Sequence, residues 1–231
     1  MSTPKGFIFD FNGTLFFDSR LHIRCFREYA LKYGFKVLSD EYVVANILGK
    51  ANDLIVRDNY NKDATDEDIA AFNDEKEGFY RELCRRSPED MHLIKGACEL
   101  LDFLKENSIP YCIATGSDID NVNFYLHEMG IDRWFTLDNI VYCDGSFPCK
   151  PSPDIYLRAA KCIGLDPSEC VVFEDGTSGM LAAHRAGVKN IIALYEEGLP
   201  SPVTDEFKVF RILHGLEDWR VLLSELGFSF N

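Results

Sequence analysis

Four short segments carry the residue types that could handle phosphate and a hard metal ion. Asp10, Asn12, Gly13 and Thr14 follow an apolar run, and Thr115, Gly116 and Ser117 follow a second one. Lys150 opens a run that continues Pro-Ser-Pro to Asp154. Glu174 and Asp175 follow a third apolar run and lead into Gly176 and Gly179. Carboxylates are hard oxygen donors suited to a cation such as Mg²⁺. An ammonium, a hydroxyl and backbone N–H groups at a loop edge suit the oxygens of a phosphoryl group. Asp10, Glu174 and Asp175 offer the first set, and Lys150 and Thr115 the second.

Such groups act together only if the fold brings four distant segments to one place. The apolar runs Gly6 to Asp10, Ile109 to Ala114, Asn139 to Cys143, Cys170 to Phe173 and Lys189 to Leu194 read as strands. From residue 93 they alternate with helical patterns that stop at Gly130, Gly164 and Gly187. Alternation of this kind predicts an α/β fold, a Rossmann-like parallel sheet with helices on both faces. Ligands of such sheets bind at the carboxyl ends of the strands, where all four segments fall. Between the first two strands the pattern is helical. A helix spans Ser19 to Tyr33 and a second starts at Ser39 or Asp40. A third starts at Asn52, and a long one follows Thr65, which with Asp68 resembles a capping box. The expected organisation is a core of residues 1–17 and 90–231 with an all-helical cap, residues 18–89, inserted after the first strand. The tail after Ser201 offers one helix near Leu216 to Leu226.

The chain of 231 residues has 24 basic and 38 acidic side chains, a net charge of −14, and 46% hydrophobic residues. That balance excludes a general electrostatic footprint for nucleic acid and any bias towards anionic membranes. Positive charge for a phosphate must therefore be local. No signal peptide and no run of roughly 18 apolar residues is visible, so no membrane span and a cytoplasmic location are expected. The eight cysteines are scattered without a CxxC pair, which points to reduced thiols and not to a disulfide framework or a zinc site.

Taken in order, the four segments resemble the four motifs of the haloacid dehalogenase-like superfamily. The helical block resembles the cap of its β-phosphoglucomutase and phosphoglycolate phosphatase branch. The resemblance runs from Phe7 to about Leu194 and includes the stretches Lys150 to Tyr156 and Val171 to Gly176. It implies an Mg²⁺-dependent phosphatase acting on a small soluble phosphomonoester. Asp10 would be the nucleophile that forms an aspartyl-phosphate. Asp10, the backbone carbonyl of Asn12, Asp175 and Glu174 would hold the metal. Thr115, with the N–H of Gly116, and Lys150 would bind and stabilise the phosphoryl group. The implied partner is a small phosphorylated metabolite, and the chain would be a monomer or weak dimer.

One position departs from the family pattern. Most phosphatases and mutases of the family carry a second Asp two residues after the nucleophile, where this chain has Asn12. An amide cannot shuttle a proton at neutral pH, and general acid–base catalysis is typically worth about 10²–10⁴-fold. The alternatives are a phosphatase for good leaving groups, a β-phosphoglucomutase-like sugar phosphate mutase, or a catalytically weak protein that binds a phosphorylated ligand. His22 and Glu28 could supply the missing proton, and Lys50, in the cap segment that faces the site in this branch, could touch substrate. A phosphonate-cleaving or dehalogenating reading fits less well. Phe16 and Phe17, at the entry to the cap, are expected to pack.

Overall fold

The structure, a computed structural model, describes residues 3–50 and 52–230, with the backbone alone for Asp53. The chain opens with β1 (Gly6–Phe9). Four helices follow: α1 (Ser19–Tyr33), α2 (Asp40–Asn46), α3 (Asn52–Asn59) and α4 (Asp66–Arg85). Then come α5 (Ala97–Glu106), β2 (Tyr111–Thr115), α6 (Ile119–Glu128) and β3 (Ile140–Tyr142). The chain continues through α7 (Asp154–Cys162), β4 (Cys170–Glu174), α8 (Thr177–Arg185) and β5 (Asn190–Leu194). It closes with β6 (Arg211–Leu213) and α9 (Trp219–Glu225). These elements form two compact units, one from the residues up to Phe17 and from His92 onward, the other from Asp18 to Met91.

The first unit is built on a six-stranded sheet in the order β3-β2-β1-β4-β5-β6. Every pairing is parallel. A parallel sheet is covered on both faces, so its strands read as unbroken apolar runs, and all four residues of β1 and all five of β4 and β5 are buried. On one face Ile8, Cys112, Ala114, Val172 and Ile191 pack against Ile155, Ala159, Met180 and Ala183 of α7 and α8. On the other, the Phe9 and Phe173 rings stack with centroids 4.8 Å apart and Phe7 meets Phe228 at 5.6 Å. The tail departs from the sequence reading, which gives a helix and no strand there. β6 extends the sheet by pairing with β5 through backbone groups, Ile192 opposite Arg211 and Leu194 opposite Leu213. Its side chains are exposed or half-buried, and Arg211 breaks the short apolar stretch Val209 to Leu213.

The second unit is all helical among its described residues. α1 ends at Gly34, which takes the left-handed conformation (φ 72°) that a helix C-terminus favours. Ser39 caps α2, and Thr65 and Asp68 form a reciprocal capping box at α4. Phe26, Tyr29, Val43, Ile47, Ile55 and Phe72 form its core. Among the described residues no helix is long and apolar enough to cross a membrane.

Candidate active site

β1 is central in the sheet, and the chain leaves it in a tight turn. The Asp10 N–H donates to the Phe173 carbonyl (2.9 Å), the last tie to β4. The N–H groups of Thr14, Leu15 and Phe16 then all donate to the Phe11 carbonyl, and Gly13 N–H donates to the Phe16 carbonyl. Gly13 sits at φ +73°, and a Cβ there would lie 2.0 Å from Asp175 Oδ2. The turn therefore needs glycine twice over, for its dihedral and for the approach of a carboxylate. Thr14 Oγ1 donates to the other oxygen of that carboxylate at 3.3 Å. Phe16 is fully buried against Phe11 and Tyr125.

Lys150 Nζ stands between two carboxylates, 3.0 Å from Asp10 Oδ1 and 2.5 Å from Glu174 Oε1, and donates to the Ala114 carbonyl at 3.3 Å. Glu174 has two further donors: Tyr156 Oη to Oε1 at 2.7 Å and the Gly176 N–H to Oε2 at 3.0 Å. Burial and the Glu174 charge hold the Tyr156 phenol well above its ordinary value, so it stays a donor. Gly179 lets this carboxylate lie against α8, since a Cβ there would be 1.7 Å from Oε1. Burial pushes the Asp10 carboxyl up to about 7, with Lys150 pulling it down and Glu174 pushing it further up. Burial opposes the charge on Lys150, but Asp10 and Glu174 hold its ammonium above the usual range.

Asp10, Glu174 and Asp175 each present a carboxylate oxygen within 4.8 Å of the others. Three carboxylates against one ammonium leave negative charge uncompensated, and burial above all, with Glu174 beside it, keeps Asp10 from ionising easily. Hard oxygen donors in that charge state fit a small divalent cation. On the neighbouring strand, Thr115 ends β2 at 2% exposure, and its Oγ1 accepts from the Ser117 N–H at 3.1 Å. A hydroxyl that accepts in this way keeps its own proton to donate. Gly116 is exposed at the same turn.

Asn12 is held by two residues to which the sequence reading gave no role. Its Nδ2 donates to Tyr125 Oη at 2.8 Å, and its Oδ1 accepts from Ser117 Oγ at 2.9 Å. The amide therefore lies in a fixed polar socket.

The model of the haloacid dehalogenase-like hydrolase family matches residues 4–187 of the chain. The chain belongs to that family. It is 30% identical to hexitol phosphatase A of Escherichia coli over 213 residues, 92% of each chain. It is 26% identical to a phosphorylated carbohydrates phosphatase of Thermotoga maritima over 220 residues, 94% of this chain and 88% of the other. The crystal structure of a haloacid dehalogenase-like hydrolase, family IA, variant 3, from Entamoeba histolytica superimposes with a TM-score of 0.86 at 35% identity, covering 96% of this chain and 98% of that one.

In this haloacid dehalogenase-like hydrolase, Asp10, Asn12, Thr115, Gly116, Glu174 and Asp175 lie at or just past the carboxyl ends of the inner strands of one unit, and Lys150 reaches Asp10 and Glu174 there. Lys50 and His22 belong to the other unit. Lys50 is exposed in the turn after α2. His22 stacks on Tyr80 (4.4 Å, 8°), with its Nε2 3.1 Å from Asp18 Oδ2. Tyr156 could have been read from the sequence, because a tyrosine in the buried stripe of α7 needs a hydroxyl partner. Tyr125, in the buried stripe of α6, offers the same signal, whereas Ser117 does not.

Proposed function

We propose that this protein is an Mg²⁺-dependent phosphatase that passes the phosphoryl group of a small, soluble sugar or polyol phosphate through Asp10. The observation that supports this most is the Lys150 ammonium 3.0 Å from Asp10, beside the carboxylates of Glu174 and Asp175. The substrate class follows the phosphatases of hexitols and phosphorylated carbohydrates to which the chain is similar. When bound, the cation offsets the charge that would otherwise keep a carboxylate from approaching a phosphate. Asp10, Asp175 and the Asn12 carbonyl would hold it. Glu174, engaged by Lys150, Tyr156 and Gly176, would serve mainly to fix Lys150.

The Asp10 carboxylate attacks phosphorus, the bond to the leaving oxygen breaks, and an aspartyl-phosphate remains. Lys150 and the Thr115 hydroxyl hold the equatorial oxygens through that step. Asn12 can neither protonate the leaving oxygen nor take a proton from the attacking water. Both steps then depend on water itself, which penalises alkyl phosphates more than aryl or acyl phosphates. A second reading, a phosphate-ligand binder with weak turnover, rests on the amide itself, which Tyr125 and Ser117 hold in place and which has no proton to exchange.

Phosphate release from aryl, acyl, sugar and polyol phosphates, with and without Mg²⁺, decides between them. Under the first reading the wild type turns over some of the panel, chelation stops it, and Asp10→Asn is inactive. Asn12→Asp should gain about 10²–10⁴-fold on sugar phosphates and much less on acyl phosphates. A silent wild type with an active Asn12→Asp variant would establish the binder. Retained activity in Asp10→Asn would overturn both.

A further inference from the structure

Among the cysteines, two that lie six positions apart in sequence meet in space. Cys143 follows β3 and Cys149 precedes Lys150, and their sulfurs are 2.8 Å apart although both are free thiols. That is less than about 1 Å longer than the ~2.05 Å of a disulfide bond. Both ends of the intervening loop are fixed. The Cys143 N–H donates to the Ser117 carbonyl (3.2 Å), and the Cys149 carbonyl accepts from the Ser152 N–H (3.0 Å). Between them the chain turns at Asp144, which accepts from the Ser146 N–H (2.8 Å), and at Gly145 (φ 77°). Phe147 is buried in the core with the Arg158 guanidinium 4.3 Å over its ring.

We propose that Cys143 and Cys149 are a redox modification site, closing to a reversible disulfide when the protein meets hydrogen peroxide. Cys149 is exposed and meets the oxidant first, whereas Cys143 is half-buried. Burial, and then the adjacent Cys149, push the Cys143 thiol up to about 12, so it is the poorer of the two at meeting the oxidant, and its part rests on its place beside the Cys149 sulfur. The Cys149 sulfur attacks one peroxide oxygen, the O–O bond breaks, and a sulfenic acid forms with loss of one water. The Cys143 sulfur then attacks the Cys149 sulfur, the S–O bond breaks, and the hydroxide leaves with the Cys143 proton as a second water. The two sulfurs together give up two electrons and the peroxide takes them. Of the other cysteines, Cys25, Cys84, Cys112 and Cys170 are buried, Cys98 is half-buried, and Cys162 is exposed with its Sγ donating to the Asp138 carbonyl at 3.0 Å.

The test treats the folded full chain with one equivalent of hydrogen peroxide, alkylates remaining thiols, and maps the peptides by mass. After alkylation in denaturant, the expected product is a Cys143–Cys149 crosslink two hydrogens lighter than the dithiol, returned to two alkylatable thiols by dithiothreitol, with the other six cysteines alkylated. Cys143→Ser should instead give Cys149 as sulfenic or sulfinic acid, showing which sulfur reacts first. Wild-type Cys149 over-oxidised beside an alkylated Cys143 would overturn the proposal, as would a first disulfide involving any other cysteine.

Discussion

At Glu174 three donors converge on one carboxylate: the Lys150 ammonium, the Tyr156 hydroxyl and the Gly176 N–H. A carboxylate at 1% exposure is tolerable only when so satisfied. Removing one donor should be felt as stability. Tyr156→Phe is expected to cost about 1.5–3 kcal/mol, the worth of a hydrogen bond to a charged group, and urea denaturation of the two proteins measures it. A loss below ~0.5 kcal/mol would mean that Glu174 finds a substitute donor. This is also the scale at which the sequence stops being readable. Asp10, Lys150, Glu174 and Asp175 stand out by type and by their place after strands. The socket of Asn12 does not, because Ser117 and Tyr125 reach it only through tertiary packing across more than a hundred positions. Nor does sequence reveal that both Glu174 oxygens are already occupied.

Helices and strands were far more legible, and the reason is periodicity. The Ser19–Tyr33 helix, its glycine stop and the Thr65–Asp68 capping box follow from local chemistry alone. β6 escaped because a three-residue edge strand is defined by the backbone of β5 and not by its own side chains. The contact before α5 is equally silent in sequence. Gly96 sits at φ +81°, and a Cβ there would lie 2.1 Å from the Leu216 carbonyl oxygen, which is backbone and cannot swing aside. Gly96→Ala combines a left-handed dihedral with overpacking and should cost about 3 kcal/mol, seen as a lowered urea midpoint with an unchanged slope. In the helical unit, Glu28 joins α1 to the end of α4. It accepts from Arg24 Nε at 2.6 Å and from Arg86 at 3.3 Å. The Arg24 hydrogen bond, against some opposition from burial, holds its carboxyl below the ordinary 4.5. Its contribution is therefore present above about pH 4.5 and is lost as the pH falls through the lowered value. Glu28→Gln should remove no more than about 1 kcal/mol at neutral pH, since the pair is partly solvated. The variant and the wild type should converge in stability as acid is added, and a gap that widens instead would be the contrary result.

For the whole molecule the governing number is the net charge of −14. Self-repulsion at that charge destabilises the compact state, and ~0.15 M salt shortens its range to about 8 Å. The melting temperature should rise as sodium chloride is added from low ionic strength to 0.15 M and then level off. A fall over that range would mean that attractive pairs such as Lys5–Glu169 outweigh the repulsion. The sheet order carries a consequence of a different kind, for the time course of synthesis. β1, which positions Asp10, has neighbours on both sides that arrive late: Phe7 pairs with Tyr111, and Gly6 with Cys170. At a ribosomal pace of about 5–20 residues per second, the first strand waits roughly ten to thirty seconds for its second neighbour. Through that interval an uninterrupted apolar strand stands with at least one open edge, the condition under which nascent chains stick to one another. The helical unit is complete in sequence well before the sheet is. The strand that positions Asp10 thus precedes both of its sheet neighbours in the chain and is secured late, a consequence of strand order alone.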